Sequence, residues 1–279
     1  MVTADALRAL SPEGSVRTWN IDNCLLYALG VGAGSFDPTS EIGFTTENSA
    51  GVTPRAVPTY GIILCGGGPE LLAPAGVRQE DVLLVSETLE LFGEIPTEGT
   101  VRVEHGFGAI ESHARGLVVE AVNTASLDGA VLCRTTARTL VVQDSQPHSV
   151  ERPVRRATVP ENAVTWQFVI PPNQALLYRL TAGRNPLHSD PAIAAEAGHA
   201  VPILHGRCTS GFVARELIAH KLGGDPTRLT ELTARFLGPV FPGDTLELAV
   251  TARTDGGDYL LYRAADQDVV LKGSFRSVS

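Results

Sequence analysis

The chain repeats itself, and a repeat restricts the fold to something that can be built twice from one plan. Tyr27-Ala-Leu-Gly-Val-Gly32 aligns with Tyr178-Arg-Leu-Thr-Ala-Gly183. Further on, residues 89–100 align with residues 234–245, each reading as a strand, a turn rich in Gly and Pro, and a second strand. Between these landmarks each half holds a short apolar segment, residues 58–64 in one and 202–206 in the other. Three landmarks in one order and at similar spacing outweigh chance likeness among short apolar strings. The 279 residues suffice for one large domain or two small ones, either able to bury a core.

The second half reads more clearly. Residues 186–197 open on Asn-Pro and run into Ala-Ile-Ala-Ala-Glu-Ala, a short helix that Gly198 can end. Residues 206–222 place Phe212, Val213, Leu217 and Ile218 at helical spacing before Gly223-Gly224, which predicts a buried central helix. Strand-like runs follow at 228–236, 245–254, 258–265 and 269–277, with Asp255-Gly-Gly257 as a hairpin signal. A long helix followed by an antiparallel sheet that wraps it is the hot-dog arrangement. The first half follows the same plan, with strands at 83–91, 100–107, 109–124 and 130–142. Its helix near 60–64 is cut short by Gly66-Gly-Gly68-Pro69. Residues 143–160 are polar, contain three prolines and show no apolar period, so they read as a linker between units at 1–142 and 161–279. The expected class is α+β, a double hot dog.

Composition narrows the function. A hydrophobic content of 43% against 19% charged residues predicts a soluble globular protein rather than a disordered one. A net charge of −9 offers no broad basic surface for nucleic acid, though a local basic pocket for a phosphate-bearing ligand remains open. Cys24, Cys65, Cys133 and Cys208 form no C-x-x-C pair and predict reduced, buried thiols rather than a disulfide framework or zinc site. The opening Met1-Val-Thr-Ala-Asp-Ala-Leu has neither a basic nor an apolar leader segment, and no apolar run reaches a membrane span. These readings predict a cytoplasmic protein with no membrane role.

The segment from Tyr178 through Gly183-Arg-Asn-Pro-Leu-His188-Ser-Asp-Pro191, followed by Pro202-Ile-Leu-His-Gly206, resembles the active-site region of the MaoC-like, or R-specific, enoyl-CoA hydratases (hydratase 2). That family reads roughly Y-x-L-S-G-D-x-N-P-L-H-x-D-P, and its Asp and His are two acid/base groups working on one water. The resemblance covers nearly the whole chain. It implies an amino-terminal half that has decayed as a catalyst and holds the acyl chain. It implies no cofactor beyond the CoA or phosphopantetheine that carries the substrate. The expected partners are an acyl thioester, an acyl carrier protein as a candidate, and a second copy in a homodimer joined through sheet edges. The family's His is His188 here, but its Asp position holds Gly183.

Hydration of an enoyl thioester needs a proton taken from water, a proton given to the α carbon, and stabilisation of the enolate-like oxygen. By resemblance His188 is the acid/base imidazole. Gly206 is the oxyanion donor, its N–H at the start of the central helix. Asn185 fixes the loop before His188. His205 orients the oxyanion segment or packs. Arg184 holds a ligand carboxylate or phosphate, or is a surface residue. Asp190 is a helix-start partner with a minor claim as a compensating acid. His105, His113 and Glu111 lie on strands and face either a cavity or water; His199 and His220 read as peripheral or helix-borne, and His148 as a linker residue. Gly66-Gly-Gly68 lacks the Lys-Ser/Thr of a P-loop, and no cluster has metal-ligand spacing. Without the Asp, three readings stand: a hydratase or dehydratase with an altered, His-only site; an isomerase or cyclase on the same scaffold; and a non-catalytic thioester-binding subunit.

Overall fold

A single ten-stranded antiparallel sheet runs through the protein in the order β1-β3-β4-β5-β2-β7-β10-β9-β8-β6. The computed structural model describes residues 2–143 and 154–278. The strands are β1 Ser15–Trp19, β2 Val82–Leu91, β3 Gly99–His113, β4 Gly116–Leu127, β5 Ala130–Val142, β6 Val164–Val169, β7 Leu229–Phe236, β8 Thr245–Arg253, β9 Gly256–Arg263 and β10 Val269–Ser277. Read outward from the centre, β2-β5-β4-β3-β1 on one side matches β7-β10-β9-β8-β6 on the other, so the two halves repeat one topology. They meet where β2 pairs with β7, Ser86 opposite Arg235 through Glu90 opposite Glu231.

Helices pack against the sheet. They are α1 Ala4–Arg8, α2 Ile21–Gly30, α3 Ile42–Thr45, α4 Tyr60–Cys65, α5 Gln174–Tyr178, α6 Pro191–Glu196 and α7 Gly206–Lys221. α4 and α7 are the central helices of the two halves. α7 buries ten residues, from Cys208 to Ile218, because its sequence is apolar or small on nearly every side. Gly211 is required where α7 crosses the end of α2: a Cβ there would lie 2.3 Å from Val31. Gly223 and Gly224 leave the helix at φ 66° and 80°, a left-handed exit that favours glycine. One core joins the halves, with Tyr27, Tyr60 and Leu89 packed in the same cluster as Phe212, Leu217 and Leu248. The arrangement is a double hot dog.

Several local expectations shift. The break placed at Gly108 is absent: β3 runs on to His113 and the chain turns at Ala114-Arg115, while the register slips between Phe107 and Ile110. A glycine inside an alternating run marked a bulge rather than a strand end. The hairpin between β8 and β9 turns on Thr254-Asp255, and both glycines of the signal belong to β9. Residues 186–197 split into a 3₁₀ turn, Pro186–His188, and α6, because Pro191 and the Asp190 cap start a new helix. β1 and β6, the two outer strands, carry little sequence signal, because both are short and largely solvent-facing. All four cysteines are free and buried. Residues 144–153 of the expected linker, His148 among them, lie outside the described residues.

Candidate active site

The site is assembled from two loops that close on the start of α7. The first is the 3₁₀ turn that carries His188. Asn185 caps it, its side-chain oxygen accepting the Leu187 N–H at 3.0 Å, and Pro186 occupies the first helical position, where no N–H is needed. The second is the segment leading into α7. His205 stands at the cap of that helix in extended conformation, and Gly206 is its first residue.

His188 Nδ1 lies 2.9 Å from the Ile203 carbonyl. A carbonyl only accepts, so Nδ1 carries the proton and Nε2 presents its lone pair. Burial pushes the His188 pKa down to about 4, partly opposed by that hydrogen bond, so the ring is neutral at pH 7. His205 stacks on it with ring centroids 3.6 Å apart and planes tilted by 27°. Burial, then the neighbouring His188, pushes the His205 pKa down to about 3; the Gly183 carbonyl opposes this and the Arg179 charge adds to it. His205 Nε2 lies 3.4 Å from the Gly183 carbonyl oxygen, and its buried Nδ1 has no hydrogen-bond partner. Tyr178 packs 5.0 Å from the His205 ring, Tyr27 lies 6.0 Å beyond, and Tyr60 of α4 5.3 Å beyond that. An aromatic row thus leads from the histidines into the amino-terminal half.

Gly206 offers an N–H that its own helix leaves unbonded, at the positive end of a 16-residue helix. A Cβ on Gly206 would stand 2.9 Å from the Phe236 ring, so glycine lets β7 approach the helix start. The next residue, Arg207, makes a two-pronged ion pair with Glu87 of β2, at 3.1 and 2.7 Å. This pair crosses from one half to the other one residue beyond Gly206. Arg215, farther along α7, bonds the Val31 carbonyl at 3.0 Å and pairs with Glu41, a second tie between halves.

The expected residues are therefore distributed unevenly. His188, His205 and Gly206 come together, with Asn185 holding the turn. Gly183 lies at the rim, exposed, with no atom within 4 Å of where a Cβ would stand. Arg184 is exposed and makes no ion pair among the described residues. Asp190 is exposed and accepts the Ala192 N–H at 2.8 Å as the cap of α6. His199 packs on Phe241, His220 lies 3.5 Å from Glu216, and Glu111 pairs with Arg138 on the surface. Three neighbours of the site carry no mark of it in the sequence. Arg179 sits at an unspecified position of the quoted motif; its Nε is buried without a partner. Arg207 directly follows the glycine, and Glu87 sits on a distant strand with nothing local to mark it. Among the described residues no three His, Cys, Asp or Glu side chains gather as a metal site.

Comparison with known proteins follows the same outline. A family model described as "MaoC like domain" matches residues 143–258. Over 247 residues the chain is 35% identical to 3-hydroxyacyl-thioester dehydratase Y of Mycobacterium tuberculosis, covering 86% of this chain and 83% of that protein. It is 32% identical to the peroxisomal enoyl-CoA hydratase 2 of Arabidopsis thaliana, covering 82% and 80%. The fold matches the crystal structure of a MaoC-like dehydratase from Phytophthora capsici with a TM-score of 0.82 at 22% identity, over 100% of this chain and 99% of that one.

Proposed function

We propose, from the premise that this chain belongs to the MaoC-like dehydratase family and is a hydro-lyase, that it adds water to and removes it from acyl thioesters with His188 as its one acid/base group. The observation that carries this reading is the His188 Nδ1–H bond to Ile203, which turns a neutral Nε2 lone pair outward beside the start of α7.

In the hydration direction Nε2 takes a proton from the attacking water as its oxygen bonds to the β carbon, then returns a proton to the α carbon. The Gly206 N–H and the helix dipole stabilise the charge that gathers on the thioester oxygen meanwhile. A pKa near 4 makes a free imidazolium costly at pH 7, and the stacked His205 adds no counter-charge. The proton therefore passes through His188 within one step instead of resting there. Gly183 supplies no carboxylate to share this work, which favours a slow hydratase of altered balance over the two-group mechanism of the family pattern. Arg184, exposed next to Gly183, is the residue we assign to a ligand anion.

A second reading follows from the same absence. One base and one oxyanion donor suffice for intramolecular addition of a hydroxyl to the enoyl group, or for moving the double bond. The test separates the two. The protein and its His188→Ala variant are incubated with crotonyl- and octenoyl-CoA in heavy-oxygen water, and products are weighed. Label uptake by the wild type alone supports hydration. Turnover without label sinks it and leaves internal addition or isomerisation. No turnover with any thioester sinks both.

A further inference from the structure

Three adjacent strands of the amino-terminal half carry a hydrogen-bonded Ser–His–Asn row on the face turned toward α4. Ser15 Oγ of β1 lies 3.0 Å from His105 Nε2 of β3, and His105 Nδ1 lies 2.8 Å from Asn123 Oδ1 of β4. The direction of this row follows from its inner end. The Asn123 amide nitrogen points to the Gly66 carbonyl and the Thr135 hydroxyl, each at 3.4 Å. With the nitrogen committed there, Oδ1 faces the ring, and an amide oxygen only accepts. His105 Nδ1 therefore carries the proton, Nε2 holds the lone pair, and Ser15 donates its O–H to it. Nucleophile, base and orienting group stand in the order that acyl transfer needs, within hydrogen-bond reach of one another. Asn123 and Thr135 are fully buried while Ser15 and His105 retain access to solvent. The row is anchored at one end and reachable at the other.

A cation stands beside it. Arg17 lies two residues from Ser15 on the same face of β1. Its Nε is buried and unbonded, and it makes no ion pair among the described residues. The loop after α4 is pressed onto both groups. Gly66 and Gly67 adopt φ 56° and 71°; a Cβ on the first would lie 2.2 Å from the Arg17 guanidinium, and on the second 2.3 Å from Asn123 Oδ1. A half-buried guanidinium that no acidic side chain pairs among the described residues leaves room for a ligand to bring the negative charge.

We propose that Ser15, His105 and Asn123 form a second catalytic site, independent of His188, that hydrolyses small acyl esters or thioesters carrying a carboxylate, which Arg17 binds. Ser15 Oγ attacks the carbonyl carbon while His105 Nε2 takes its proton. The C–O or C–S bond breaks, and the imidazolium protonates the departing alcohol or thiol. Water then attacks the acyl-serine, giving its proton to Nε2, and the carboxylic acid leaves as Ser15 is restored. Asn123 holds the imidazolium through its Nδ1–H throughout. Arg17 is a binding residue for the substrate's anionic end, about 7 Å along the strand from Ser15.

The full-length protein is treated with a serine-directed fluorophosphonate and the adduct mapped by peptide mass. Release of p-nitrophenolate is followed in parallel from the p-nitrophenyl monoester of succinate and from p-nitrophenyl butyrate. The expected result is one adduct on Ser15 that His105→Gln abolishes, and a roughly 100-fold loss of monoester hydrolysis in that variant. Arg17→Met is expected to raise KM for the succinate monoester about tenfold or more, well beyond any change with the butyrate ester. Thermal melting of each variant separates loss of function from loss of fold. No adduct on Ser15, or an adduct that forms equally in a folded His105→Gln protein, overturns the proposal. A protein that hydrates enoyl thioesters but takes no label loses this site and keeps the hydratase reading; one that takes the label but hydrates nothing does the reverse.

Discussion

Replacing Gly183 by Asp puts a carboxylate where the family pattern has one, and the structure says what it would do. A Cβ at Gly183 meets nothing within 4 Å, the residue is exposed, and its φ lies outside the left-handed region, so the side chain enters open space without strain. Substitutions of that kind change stability by about 0.5 kcal/mol or less. The Gly183 carbonyl is 3.4 Å from His205 Nε2, whose ring stacks on His188 at 3.6 Å. A carboxylate on this exposed backbone favours the imidazolium of His188 and raises its proton affinity, an attraction that solvent screens. The added acid/base group contributes a further factor on the order of 100 or more to the chemical step. The assay is hydration of crotonyl-CoA by both proteins across the imidazole titration range. At neutral pH kcat/KM should rise by about 100-fold or more. The acid limb should also move to higher pH, because His188 accepts a proton only when neutral and the carboxylate raises its pKa. A folded Gly183→Asp protein with unchanged melting and no gain in rate, or with an acid limb that stays put, would refute the reasoning that places residue 183 beside the reacting water.

Two further outcomes concern stability. Glu87→Ala leaves Arg207 facing a buried gap across the joint between halves and should cost about 3 kcal/mol, the lower end for a broken buried pair because Arg207 keeps some solvent. In urea melts the Glu87→Leu, Arg207→Met double variant should recover part of that loss, and a Glu87→Ala protein as stable as wild type would show that the pair contributes nothing. Stability should also fall on mild acidification. His188 and His205 stay unprotonated in the fold down to about 4 and about 3, whereas an unfolded chain protonates them near 6.5. The unfolded state thus binds more protons as pH drops below 6.5, so stability present above that value is lost on the way to 4, by about 3 kcal/mol per histidine. His205→Phe should flatten that slope in urea melts at stepped pH, and an unchanged slope would mean that His205 already titrates normally in the fold.

Much of the candidate site was legible because its parts are local. Asn185, Pro186 and His188 lie in one turn, and their capping chemistry is written in consecutive residues. Gly206 is recognisable from the Leu-His-Gly that precedes the apolar period of α7. The stacking of the two imidazoles was not legible. His188 and His205 are 17 positions apart on separate loops, and nothing short of the fold places one imidazole on the other at 3.6 Å. Glu87 and Arg207 are separated by 120 positions, and neither carries a local mark of its partner.

By itself the sequence determined the repeated plan, the apolar length of α7, the glycines that end it, and the paired turns and strands of both halves. Each follows from short-range rules: helical and alternating periodicity, cap residues, and glycine where φ turns positive. Tertiary structure alone decided the continuous sheet through β2 and β7, the low proton affinity of the two histidines, and the row from Ser15 through His105 to Asn123. These depend on burial and on distances between residues far apart in the chain. A histidine's charge state is set by the water it loses, and a relay by the register of three strands. Neither quantity exists until the chain has folded.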